Sequence, residues 1–384
     1  MDPRVTKKES CRKPILCAKL PGVPAKRDKK ARSSAPREQS QGQPVSLKQL
    51  AKTLGLSTTT LSLVLNNSEK AQSIPQETKD RIFAAARDLN YRPNFFARSL
   101  RSQRTYSVGV LIPELSDGYA AMVLTGIEDF LLQAGYMYLV TSHRHKDKLI
   151  DQYPRLLYER SVEGLIAVDT RYDQDLPLPV VNVSGHHEIP GVTNIILNHE
   201  KAAELGLQHL VDLGHHDIAF IKGQIFSSDT AVRWEAICTV AQRLNISIVP
   251  ALTQQMEGES ASPEVGYEAA VRLLNTKVPF TALFAFNDVC AIGAIRAFRE
   301  VGMRVPEEVS VVGFDDIYEA AYHIPALTTI KQPLRRMGML AAETLVKRIC
   351  ETDHVSPAFV QVEPDLVVRE STASVGTGKT TAAS

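Results

Sequence analysis

Several absences narrow the possibilities before any motif is read. No apolar run is long enough to span a bilayer core of roughly 30 Å, which excludes a helical membrane protein. The N-terminus is basic but has no apolar core of the secretory type, so export is not expected and the cytoplasm is. Cysteine is scarce: Cys11, Cys17, Cys238, Cys290 and Cys350 are the only five, and none forms a C-x-x-C pair. An odd count without metal spacing excludes a disulfide scaffold or zinc ribbon and fits a reducing compartment. There is no nucleophile elbow, no H-E-x-x-H and no glycine-rich dinucleotide fingerprint, so no catalytic activity and no cofactor are expected. The C-terminal "VGTGKTTAAS" imitates a phosphate loop, but the first glycine that motif requires falls at Ala373.

Net charge is nearly absent too, at +1 over 384 residues, yet this conceals an asymmetry. Residues 1–44 carry +8, residues 45–104 carry +6 and the remainder carries −13. A basic head on an acidic body predicts a polyanionic partner for the head alone. Residues 1–44, rich in Lys, Arg, Ser, Pro and Gln without apolar period, read as a disordered basic tail. Residues 373–384 read as a second disordered tail.

Residues 45–92 read as three short helices. Ser46 and Gln49 stand at capping-box spacing, Val45 and Leu50 at staple spacing, and Gly55 ends the first helix. Ser57 caps the second, with Leu56 and Leu61 again at staple spacing. Leu47, Leu50, Ala51 and Leu54 on one helix can pack on Leu61, Val64 and Leu65 of the next, supported by Ile82, Phe83 and Ala86. The second helix opens with Thr58, Thr59 and Thr60, poor helix formers whose hydroxyls and methyls suit base edges in a major groove. A helix-turn-helix presents the start of its second helix in that way. In "NYRPNFFARSLRSQRT", Pro93 breaks the third helix, Asn94 can cap a short basic one, and Leu100 can act as a minor-groove wedge. Residues 93–105 are read as this hinge.

From about Ser107, β and α segments alternate: "SVGVLIPE", "YAAMVLTGIEDFLLQAG", "YMYLVTS", "GLIAVDT", "PVVNVSG", "VTNIILN", "HEKAAELGLQHLVDLG", "DIAFIKG", "ALFAFND", "VCAIGAIRAFREVG" and "VSVVGFDD". This predicts parallel sheets covered by helices, with ligands bound beyond the carboxyl ends of the strands. Those ends carry Asp169, Asn182, Asn287, Asp288, Asp315 and Asp316. Three histidine pairs, His143 with His145, His186 with His187 and His215 with His216, lack convergent partners at ligand spacing and are read as surface or supporting residues, not a metal site.

With "VSLKQLAKTLGLSTTTLSLVLN", "NYRPNFFARSLRSQRT", "LVDLGHHDIAFIKG", "RVPEEVSVVGFDD", "IPALTTIKQP" and "PDLVVREST" in this order, residues 45–372 resemble the LacI/GalR family of transcriptional repressors. The resemblance implies an all-α helix-turn-helix head, residues 45–92, and an α/β body, residues 106–372. The body would hold two doubly wound parallel-sheet lobes, like a periplasmic binding protein, closing on a small effector. It implies a homodimer, possibly a tetramer, on pseudo-palindromic double-stranded operator DNA. No heptad repeat after Thr372 supports a tail-built tetramer. Residues matching DNA-contacting positions are Ser57, Thr58, Thr59, Ser62, Leu63, Asn66, Tyr91, Asn94, Ala97, Arg98 and Leu100. Leu63 departs from the family's usual Arg or His, so an apolar contact is expected there. Pro75 stands where a Ser-type cap is usual.

Effector positions map to Arg233, Asn287, Asp315, Asn182 and Tyr119. Arg with Asp suits the vicinal hydroxyls of a sugar or related polyol. Purine-binding members use an aromatic pair, whose positions here are Ala120 and the neighbourhood of Ala261, so a purine is disfavoured. Phe226, Ser227, Ser228 and Asp229 are further wall candidates. Two other functions compete: a sugar-binding protein without a regulatory role, and an α/β enzyme with a DNA-binding head.

Overall fold

The computed structural model describes residues 45–66, 68–91, 104–172, 176–259, 262–351 and 356–375. The hinge residues Asn94, Ala97, Arg98 and Leu100, and the tail 1–44, lie outside them. The chain divides into two compact units, one up to Thr105 and one from Tyr106.

In the first unit, α1 (Leu47–Leu54) begins with the expected capping box: Ser46 Oγ accepts from the Gln49 amide and Gln49 Oε1 accepts from the Ser46 amide. Gly55, at φ 66°, ends α1 in the left-handed region that a side chain disfavours. Ser57 then caps α2 (Thr58–Leu65) by accepting from Thr60 N at 3.0 Å. A 3₁₀ turn (Glu69–Ser73) precedes α3 (Gln76–Asp88). Pro75 is the N-cap of α3 and supplies no side-chain bond, so it stands one place before the first turn. Leu50, Leu61, Val64 and Ile82 form the core of this small unit. Phe83 does not join it and is 43% exposed, because one helical step from Ile82 swings a side chain by about 100° to the outer face.

The second unit contains two six-stranded sheets. In chain order, β1 (Ser107–Ile112), α4 (Gly118–Ala134), β2 (Met137–Ser142), α5 (Asp147–Glu159), β3 (Leu165–Val168), β4 (Val180–Val183) and β5 (Val192–Leu197) build the first lobe. The chain then crosses to the second lobe for α6 (His199–Asp212), β6 (Ile218–Lys222), α7 (Ser228–Arg243), β7 (Thr253–Gln255), α8 (Pro263–Asn275), β8 (Ala282–Ala285), α9 (Asp288–Glu300), β9 (Ser310–Asp315), α10 (Tyr318–Tyr322) and β10 (Thr328–Lys331). It returns for α11 (Leu334–Cys350) and β11 (Phe359–Val362), and crosses again for β12 (Asp365–Val367). Strand orders are β11-β5-β4-β3-β1-β2 and β12-β10-β9-β8-β6-β7, parallel throughout except for β12 against β10.

The central strands are buried along their length, apart from the half-buried Lys222 that ends β6, as strands with both faces covered must be. Successive residues of β6 show why: Ile218 and Phe220 face α6 and α7, while Ala219 and Ile221 face α8 and α9. In the first lobe, α4 and α11 meet at glycines. A Cβ on Gly126 would fall 1.9 Å from Arg335 O, and one on Gly338 would fall 2.0 Å from Val123 O. Only hydrogen fits at either position. Ala373 and Val375, expected in the tail, are bonded to the second lobe: His215 donates to Ala373 O, and Val375 N donates to Leu213 O.

Candidate functional site

On the head, Ser57, Thr58 and Thr59 are exposed at the start of α2, while Thr60 is half-buried and lies 2.9 Å from Ser57 Oγ. Thr58 and Thr59 therefore keep their hydroxyls available, and Ser57 spends its oxygen on the cap. Ser62 and Asn66 are tied together, the Asn66 amide donating to Ser62 O at 2.8 Å. Leu63 is half-buried against the head core, and Tyr91 packs there too, its phenol pushed up by burial. The free amides and positive dipole end of α2 suit nearby phosphates.

In the body, the carboxyl ends of both sheets face an open cleft. This is where ligands bind in open parallel sheets. From the first lobe come Asp117, Tyr119, His145 and Asp169; from the second come Phe226, Asp229, Arg233, Phe286, Asn287 and Asp315. Several cleft-end residues hold positive φ despite carrying side chains: His145 (54°), Asp169 (40°), Ser184 (61°), Asp315 (112°) and Asp316 (59°). Such strain concentrates where a site needs it.

Arg233 is buried, with both terminal nitrogens engaged and Nε left without a hydrogen-bond partner. It donates to Asp229 Oδ2 at 2.8 Å and to Phe286 O at 2.5 Å, and its guanidinium lies 3.7 Å from the Phe314 ring centroid and 4.4 Å from that of Phe286. Burial pushes the Asp229 carboxyl up, but His199, His186 and Arg233 outweigh it and hold it well below the usual range. The other cleft carboxyls are shifted upward. Burial lifts Asp117 to about 6 against the bonds from the Tyr119 and Ala120 amides. Burial, with the Asp229 charge, lifts Asp169 to about 7. Burial holds Asp315 well above the ordinary value, although Arg233 and Gln332 oppose it.

Several contacts cross between lobes, among them His186 Nε2 with Asp229 Oδ1 at 2.7 Å and the Ser228 hydroxyl donating to Ser184 O at 2.6 Å. Asp169 Oδ1 accepts from Ser228 N at 2.9 Å and lies 2.6 Å from Ser228 Oγ, so a first-lobe carboxylate caps α7 of the second. His145 and Phe226 pack ring on ring, 3.8 Å between centroids. His143 positions His145: its Nδ1 accepts from the His145 amide, and its Nε2 meets Thr170 Oγ1 at 2.8 Å. Burial and the neighbouring His145 lower the His143 pKa to about 4.

The cleft thus brings together Arg233, Asn287, Asp315 and Tyr119. Asn287 Oδ1 is taken by the Cys290 amide, which leaves its NH₂ for a ligand. The Tyr119 hydroxyl is bonded to Ser184 Oγ at 2.6 Å. Asn182 is not brought in: it is buried in β4 opposite Asn194 and packs behind Gly185. Ala120 is buried in α4, away from the cleft. Sequence reasoning missed Asp117, His145 and Phe286. Position after a strand was the only signal for them. Of the histidine pairs, His187 and His216 are exposed, whereas His143 and His215 are buried in supporting roles.

Residues 46–94 match the family model for bacterial regulatory proteins of the lacI family, and residues 207–372 match the periplasmic binding protein-like domain. Over 342 residues the chain is 32% identical to the HTH-type transcriptional repressor PurR of Haemophilus influenzae, covering 86% of this chain and 99% of that one. It is 33% identical over 333 residues to PurR of Aliivibrio fischeri, covering 85% and 97%. Among solved structures, the Lac repressor dimer bound to operator and the anti-inducer ONPF aligns with TM-score 0.74 at 28% identity, over 86% of this chain and all of that one. A complex of the regulator CelR with cellobiose aligns with TM-score 0.64 at 25% identity, over 85% and 99%.

A DNA-binding helix-turn-helix joined to a two-lobed, periplasmic-binding-protein-like body defines a ligand-responsive transcriptional regulator. The chain belongs to the lacI family of bacterial regulatory proteins and is a DNA-binding transcriptional repressor, not an enzyme. Among the described residues, no helix is long and apolar enough to cross a membrane.

Proposed function

We propose that this repressor works in the cytoplasm as a homodimer on a pseudo-palindromic operator, and that its effector is a neutral polyhydroxylated molecule of the sugar class. The observation that carries the effector reading is the charge arrangement in the cleft. Asp117, Asp169, Asp229 and Asp315 line it, while its one arginine is already paired with Asp229. Carboxyls accept from hydroxyls, and raised carboxyls can also donate, which suits vicinal diols. A sugar acid or phosphate would need a cationic partner, and the Arg233 terminal nitrogens are already given to Asp229 and Phe286 O. A purine would need an aromatic slot, and the cleft's ring pair, His145 with Phe226, is closed on itself at 3.8 Å. The cellobiose complex of CelR offers a saccharide precedent in a related fold.

For the operator, the exposed Thr58 and Thr59 at the start of α2 are the base-reading residues, joined by an apolar contact from Leu63. The hinge residues Asn94, Ala97, Arg98 and Leu100 extend this surface into the minor groove. Exposed Tyr318, Tyr322 and Ile324 on the second lobe offer apolar area that a second copy would cover. Effector and operator are linked because both depend on how the lobes are arranged.

The test is selection of bound sequences from a random DNA pool by the full chain, repeated with neutral sugars, sugar acids, sugar phosphates and purines. A palindrome whose enrichment changes with a neutral sugar is expected, and Asp315→Asn should abolish that change while keeping operator affinity. A response confined to an anion or a purine overturns the effector class. No enriched palindrome overturns the operator reading.

A further inference from the structure

His186, His199 and Asp229 converge beside the cleft, although 13 and 30 residues separate them in sequence. Their ligand atoms all lie within 4.8 Å of one another. Asp229 Oδ1 is 2.7 Å from His186 Nε2 and 3.4 Å from His199 Nε2. All three side chains are nearly inaccessible, at 9%, 3% and 5% exposure for His186, His199 and Asp229. His199 is the telling member: its Nδ1 has no hydrogen-bond partner, and its Nε2 has only the long 3.4 Å approach to Asp229 Oδ1. A buried imidazole matched this poorly is costly unless something else engages it.

We propose that His186 Nε2, His199 Nε2 and Asp229 Oδ1 form a site for a divalent metal ion of the zinc class. Two imidazoles and one carboxylate are a donor set such ions accept, with metal–ligand bonds of about 2.0–2.2 Å. Tetrahedral ligands at that length stand roughly 3.4 Å apart, which is the His199–Asp229 separation; His186 would withdraw by under about 1 Å. The other carboxylate oxygen, Oδ2, stays on Arg233, an outer contact that fixes the ligand's orientation. A fourth position is left for water.

The site is tuned to be weak and exchangeable. His199 Nδ1 lacks the acceptor that usually supports a metal-bound histidine, a deficit of about 10–100-fold in affinity. The Arg233 charge opposes a cation as well. Its placement gives it a consequence. His186 follows β4 in the first lobe, His199 begins α6 where the chain crosses over, and Asp229 lies on α7 of the second lobe. A bound ion would tie the lobes together.

The test uses full-length protein stripped with a chelator, then titrated with Co²⁺ followed by visible absorption and with Zn²⁺ by calorimetry. One ion per chain is expected, with four- or five-coordinate Co²⁺ bands and a Zn²⁺-induced rise in melting temperature. His186→Gln and His199→Gln should each weaken binding at least tenfold, with circular dichroism confirming that both variants fold. No binding at stoichiometric metal, or binding unchanged in both variants because surface histidines hold the ion, overturns the proposal. The operator selection described above is independent of this outcome, so failure of one does not imply failure of the other.

Discussion

Replacing Arg233 by methionine removes the one buried cation in the cleft while keeping most of its volume against Phe314 and Phe286. Asp229 is then left buried and ionised without the partner 2.8 Å away. Breaking one side of a buried pair costs about 3–5 kcal/mol. His186 stays bonded to the other carboxylate oxygen at 2.7 Å, so the loss falls near the lower end, about 3 kcal/mol. For a body of this size, that lowers the melting temperature by roughly 6–12 °C. The companion variant Asp229→Leu removes the carboxylate and strands the guanidinium. The double variant Arg233→Met/Asp229→Leu no longer buries either member of the pair and should recover most of the loss. Denaturant melts of the four proteins close a double-mutant cycle with a coupling energy of about 2 kcal/mol or more. Additive single effects, or a double variant less stable than either single, would refute the claim that the ion pair organises the cleft.

Thr59→Ala should weaken operator binding by about 1–3 kcal/mol while sparing random DNA, and equal losses on both would remove Thr59 from base readout. Leu61 is fully buried in the head, so Leu61→Ala costs about 2–5 kcal/mol, against a stability of roughly 2–7 kcal/mol for a unit the size of residues 45–91. Operator binding should be lost while effector binding, measured by calorimetry, persists; loss of both would contradict the independence of the two units. Burial, helped by the Asp316 charge, raises Asp288 to about 7 against the bonds from Thr329 and Ile317. A carboxyl raised on folding stabilises fully below its unfolded value near 4 and loses that contribution as pH climbs through about 7. The body should therefore soften between about pH 4 and 7, and Asp288→Asn should flatten that slope; an unchanged slope would refute the assignment.

Much of this was legible in sequence because it is local. The capping box of Ser46 and Gln49, the left-handed stop at Gly55 and the Ser57 cap involve residues within four positions, and each appears as expected. The alternation of strands and helices was legible because a strand buried on both faces must be apolar throughout. The short β7, the helix α8 and the late segments β10 to β12 were not marked, being brief or mixed in polarity. Among site residues, Arg233, Asn287 and Asp315 emerged from motif position. Asn182 did not reach the cleft, since the chain turns at Ser184 and leaves it inside the sheet.

By itself, the sequence determined that a basic helical head precedes an acidic α/β body, and that polar residues end the strands. Those properties follow from periodicity, caps and composition, which act over a few residues. Only the tertiary structure decided which strand ends face one another. The chain crosses between lobes three times, so Asp169 comes to cap α7 and His145 to lie on Phe226 with no sequence spacing to announce it. It also decided charge state. Desolvation depends on what surrounds a carboxyl in space, which is why Asp229 is held low while Asp169, across the cleft on the other lobe, rises to about 7.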